Sequence, residues 1–190
     1  MDFIAHGLWG GALAKAANKN NLTKKPIRIR WFVFWSIIPD FFTFTLLTVW
    51  FFGSILGGYA TLANLPHFQI SEPMPQDTYL ILRLTNWFYN FSHSLVVFFA
   101  IFAIAIVFFK RKGAPWAMTG WLVHILIDIP THSYKFFPTP FLWPLSQWKF
   151  DGISWSTPWF EIINYSLIII VYFWFYRRWL KGKERTIIKT

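Results

Sequence analysis

Three residues spaced four apart, His124, Asp128 and His132, lie in an apolar stretch of this chain. Positions four apart on a helix share a face and stand about 6 Å apart along the axis. His124 and Asp128 can therefore share an ion, as can Asp128 and His132. All three cannot hold one ion from an ideal helix, where His124 and His132 are about 12 Å apart along the axis. Two ions bridged by Asp128 would resolve this, as would a broken helix. Pro130 favours a break, since it lacks an N–H and pushes Ile129 away from the α region. His6, Asp40 and His93, of the same ligand type, also sit in or beside apolar runs. An ionisable group at membrane depth is costly, so it faces a protein interior and has a partner or a task. Six such groups point to one shared site. The chain has no cysteine, so any metal must use nitrogen and oxygen donors.

The elements that must position these groups are membrane helices. Of 190 residues, 55% are hydrophobic and 14% charged, against roughly 25% charged in soluble domains. The composition indicates an all-α, polytopic membrane helix bundle forming one integral membrane domain over 1–190. Apolar runs predict four spans at about 31–52, 91–109, 114–130 and 160–180, each near the length that crosses a bilayer. Residues 2–18 read as a short, half-inserted N-terminal helix rather than a cleaved leader, because Asp2 and His6 interrupt the leader pattern. Gly7 and Gly11 on this helix suit close packing within the bundle.

The net charge of +10 falls in three groups flanking the apolar runs: Lys15 to Arg30, Lys110 to Lys112, and Arg177 to Lys189. They read as topology signals that place all three, and the C-terminus, in the cytoplasm. This distribution argues against nucleic acid as a partner. Counting from the nearest basic group raises Asp40 about 15 Å, His124 about 18 Å, Asp128 about 24 Å and His93 about 25 Å. These levels overlap, and His6 joins them if the Lys15 end of its helix is cytoplasmic. The aromatic, proline-rich segment 133–159 should lie at the outer interface, as an anchoring belt or as a lid bringing Lys135 and Lys149 to a substrate phosphate. His67, in a polar loop, is given no function.

Together, His6-Gly7, Pro39-Asp40, Ser92-His93-Ser94-Leu95 and His124-x-x-x-Asp128-x-x-Thr131-His132 resemble a family of bacterial inner-membrane proteins, the predicted membrane-bound metal-dependent hydrolases. The resemblance covers nearly the whole chain. It implies a divalent metal, with His6, Asp40, His93, His124, Asp128 and His132 as candidate ligands, and hydrolysis of a membrane-associated ester or phosphoester. Zinc leads as the metal, ahead of manganese, iron or magnesium. Many members carry a second acidic residue where this chain has Phe42, and a His-Arg-Gly-like stretch where it has Phe88-Tyr89-Asn90. In such a site the ion activates water and a second carboxylate, Asp40 or Asp128, takes the proton. Ser92, Ser94 and Thr131 are candidates to orient the ligands by hydrogen bonds. Two other classes stay open: a metal-ion or proton transporter, and a noncatalytic membrane protein with a structural metal.

Overall fold

A single 28-residue helix organises the molecule. In the computed structural model, which describes residues 1–59, 80–109 and 115–187, this helix packs against three others. In chain order the helices are α1 (Phe3–Lys19), α2 (Ile29–Leu56), α3 (Leu80–Ser92), α4 (Leu95–Phe108), α5 (Thr119–Thr131) and α6 (Pro158–Ile187). A one-turn 3-10 segment, Trp116–Met118, leads into α5. No strand occurs among the described residues. The central helix is α2, which touches α1, α3 and α5.

Small residues allow these close approaches. On α2 the buried positions Phe32, Ser36, Pro39 and Thr43 recur at helical spacing and mark one packed stripe. Gly120 of α5 lies so near the backbone of α2 that a Cβ there would collide with the Phe32 carbonyl oxygen. Gly10 of α1 rests on the Ser36 side chain in the same way, and a Cβ on Gly7 would come within 2.8 Å of Ile37. Polar side chains then tie α1 to α6: Trp9 donates to Asn164 at 2.9 Å, Tyr172 to the Leu8 carbonyl at 2.8 Å and Tyr165 to Asp2 at 2.9 Å. Asp2 also caps α1, accepting from the Ile4 and Ala5 amides at 3.0 Å.

The four-span layout is revised. Among the described residues, two helices are long and apolar enough to cross a bilayer: α2, and α6 over Pro158–Leu180. The expected span 91–109 is instead two helices, α3 and α4, which pass the same test only as a pair bent by 58°. With 13 residues, α5 is about 20 Å long and falls short of a core of about 30 Å. Only in α5 does the protein itself bury the apolar run, with Trp121 and Ile125 inside the bundle; α4 leaves Phe99, Ile104 and Val107 exposed. The group Lys110 to Lys112, His67 and the start of the predicted span at 114 lie outside the described residues.

Each helix break has its freed backbone groups satisfied. Between α3 and α4, the Ser94 hydroxyl caps the Val97 amide, Leu95 N–H donates to Phe141 O, and the Ser92 carbonyl accepts from the Trp121 indole at 2.6 Å. At the end of α5 the carbonyls of Pro130, Thr131 and His132 accept from the amides of Ile153, Trp155 and Gly152. The segment from Ser133 to Thr157 is thus a strap hydrogen-bonded to both breaks. Neither cationic residue of the strap lines the cavity beside the cluster: Lys135 is exposed and Lys149 is buried.

Candidate metal centre

Four side chains from three places in the fold converge inside the bundle. Asp40 comes from the middle of α2, one residue after the buried Pro39. His93 occupies the turn between α3 and α4, and His124 and Asp128 share one face of α5. One ligand atom from each lies within 4.8 Å of every other. His93, His124 and Asp128 are fully buried, and the Asp40 side chain is 14% exposed.

The separations suit a metal ion. His93 Nε2 stands 3.1 Å from His124 Nε2, 3.4 Å from Asp40 Oδ1 and 3.5 Å from Asp128 Oδ2. His124 Nε2 is 3.1 Å from Asp128 Oδ2 and 3.7 Å from Asp40 Oδ1. A tetrahedral ion with bonds of about 2.0 to 2.1 Å holds its donors about 3.3 to 3.4 Å apart. The observed values bracket that distance.

Tautomers strengthen the case. His124 Nδ1 is 2.8 Å from the Ser36 carbonyl, which can only accept, so Nδ1 carries the proton. His93 Nδ1 faces the Tyr89 carbonyl at 3.1 Å, which can only accept and so assigns its proton in the same way, and the Ser92 hydroxyl at 2.8 Å. In the neutral rings both Nε2 atoms are then bare lone pairs, turned toward each other and toward two carboxylates. A divalent cation among them, or a proton on one Nε2, relieves the repulsion between these groups. Asp128 Oδ2 is buried and accepts no hydrogen bond, which leaves it free for such a cation.

The remaining two histidines meet the other oxygen of Asp128. His6 Nε2 lies 2.9 Å from Oδ1 and His132 Nε2 3.4 Å. The Met1 amine is 2.5 Å from the same oxygen and 2.9 Å from His132 Nε2. His132 reaches back because α5 ends at Thr131 and its own backbone is extended, at φ −119° and ψ 150°. The expected break at Ile129 does not occur: α5 runs through Ile129 and Pro130 and ends only at Thr131. His6 stacks on His124, with ring centroids 3.8 Å apart. Both histidines thus touch the carboxylate and lie outside the four-donor group.

Of the three proposed orienting residues, Ser92 contacts a ligand: its hydroxyl bonds His93 and also Thr43 at 2.9 Å. Ser94 and Thr131 do not. Ser94 caps α4 and donates to the Trp143 carbonyl, while Thr131 donates to Ile127 O, because a hydroxyl inside or at the start of a helix finds backbone first. Sequence reasoning missed Tyr89, whose ring lies 4.0 Å from that of His93 and whose hydroxyl donates to the Phe137 carbonyl beside His132 Nδ1. Its place one turn before His93 was the available signal. The missed carbonyls of Ser36 and Phe137 carry no mark in their side chains.

The two departures from the family pattern pack on each other: the rings of Phe42 and Phe88 meet edge to face at 4.9 Å. Phe42 lies two residues past Asp40, off the helix face that points at the cluster. The aromatic pair therefore takes no donor from the four. Residues 1–188 match the family model described as YdjM inner membrane protein. No curated protein and no solved structure matches the chain.

Proposed function

The chain belongs to the YdjM inner membrane protein family, and from that premise and the four-donor cluster we propose a membrane-embedded, metal-dependent hydrolase acting on a lipid-linked ester or phosphoester. The observation that carries this reading is the pair of imidazole Nε2 atoms 3.1 Å apart beside two carboxylates. His93, His124 and Asp128 would hold the ion, and a set of nitrogen and oxygen donors suits zinc, with manganese, iron or magnesium as alternatives. When bound, such an ion supplies Lewis-acid polarisation and makes water acidic enough to ionise near neutral pH. Asp40 differs from the other three donors because it also lines a cavity at the edge of the bundle. In this role its carboxylate takes the proton of the attacking water. The Tyr89 and Ser36 carbonyls hold His93 and His124 in the required tautomers.

The orientation proposed has both basic ends in the cytoplasm. Support comes from their meeting at one end of the bundle, where Lys15 lies over Phe175 and Lys19 over Trp174. Transport is less well supported. Among the described residues the buried ionisable side chains gather in the cluster, apart from Lys149, and form no file leading away from it.

A second reading is favoured by the near-tetrahedral spacing itself, since four protein donors can saturate a structural ion. Asp40→Asn separates the two. The variant is purified in detergent, its metal measured, and its hydrolysis of phospholipid and lipid phosphate monoesters compared with wild type. The hydrolase reading predicts metal retained and turnover reduced about 10²–10⁴-fold, the usual worth of a general base. Loss of metal together with no turnover by wild type on any ester would leave the structural role.

A further inference from the structure

Beside the cluster lies a cavity of about 680 Å³, within the range of small-molecule sites. Its polar end is formed by Met1, Asp2, Asp40 and His132. From there it runs along one stripe of α2, past Phe44 and Thr48 to Val49, and is closed on the other side by Phe137 and Trp155 of the strap. Asp40 to Val49 spans about 14 Å of helix. The threonine hydroxyls along this wall are already spent: Thr45 donates to Phe41 O at 2.5 Å and Thr48 to Phe44 O at 2.8 Å. They therefore present little beyond methyl groups to an occupant.

We propose that this cavity holds one hydrocarbon chain of a membrane lipid, with the lipid's ester or phosphate end at Asp40 and His132. The occupant follows from continuity with the bilayer surface. Phe41 and Val49 border the cavity and are each 63% exposed on a helix long enough to span, so the cavity opens sideways into the region that lipid chains fill. A soluble substrate would find an apolar wall with no free donor, whereas an alkyl or prenyl chain loses nothing by leaving the bilayer for it. The chain's role as part of a substrate rests on the hydrolase reading; its binding does not.

The test needs no turnover. Wild-type protein in phosphatidylglycerol vesicles containing phosphatidylglycerol with a diazirine near the carbonyl end of one acyl chain is irradiated, and the adducts are mapped by mass spectrometry. Adducts are expected on Phe137 and Trp155 as well as on lipid-facing residues of α2 and α6. Thr45→Trp and Thr48→Trp, each of which fills the cavity, should abolish the Phe137 and Trp155 adducts while leaving the α6 adducts and metal content at wild-type levels. Adducts confined to lipid-facing residues would overturn the proposal, as would Phe137 and Trp155 adducts that persist in both properly folded variants. A hydrolase that fails on every ester but passes this test would lose its reaction and keep its lipid site.

Discussion

Ser92 shows how much a single hydroxyl can decide at this centre. It bridges the His93 ring and Thr43 and so holds in place the ring that turns Nε2 inward. Outer hydrogen-bond partners of metal ligands are typically worth 10–100-fold in affinity, so Ser92→Ala should weaken metal binding by about that factor in a chelator competition. Ser94→Ala, one helix cap away, should lower stability by about 1 kcal/mol in a thermal melt while leaving affinity unchanged. The sequence offered no way to tell these two serines apart. Both flank His93, and their difference arises from a helix break that places one inside the bundle and the other at an N-cap. The convergence of Asp40, His93, His124 and Asp128 was legible, because rise per residue sets depth and charge sets the zero of the count. The direction of each ring was not, since it depends on the carbonyls of Ser36 and Tyr89, which any residue type supplies.

The helices carry the same lesson one level up. Glycine in a helix costs about 0.5–1 kcal/mol relative to alanine, so Gly120 is retained against propensity. Its contact with the Phe32 carbonyl explains why: a methyl there meets backbone, which cannot rotate away. Gly120→Ala should therefore destabilise the protein by about 1–3 kcal/mol and weaken metal binding, because His124 lies one turn further along the same helix. Gly53, with open space around its Cβ position, is the control, and Gly53→Ala should be neutral or slightly stabilising in the same melt. Periodicity and hydropathy located α2 and α6 well. In α5 they read as a span what is protein-buried helix, with Trp121 and Ile125 inside the bundle, while α4, whose Phe99, Ile104 and Val107 are exposed, reaches spanning length only together with α3. The break at His93–Ser94 was also hidden, as neither glycine nor proline marks it and its freed groups are satisfied by Trp121 and by the distant strap.

At the scale of the molecule, the cluster is a fastening point. Asp40 belongs to α2, His93 to the α3–α4 turn, and His124 and Asp128 to α5, so an ion held by the last three would fasten that turn to α5 beside the central helix. Binding to the folded state alone stabilises by about 2.7 kcal/mol at a metal concentration 100 times Kd, so chelation should lower the melting temperature of the wild-type protein but not of His124→Ala. The strap extends the same logic, since its bonds to Pro130, Thr131 and His132 hold the end of α5 where His132 turns back to Asp128. The most direct check of the central claim is the metal content of detergent-purified protein, by mass spectrometry, for wild type, His124→Ala and Asp128→Ala. The account predicts close to one bound divalent ion in wild type and loss of it in both variants that still fold. Folded wild-type protein that takes up no divalent ion, even after incubation with zinc, manganese or iron, would contradict it.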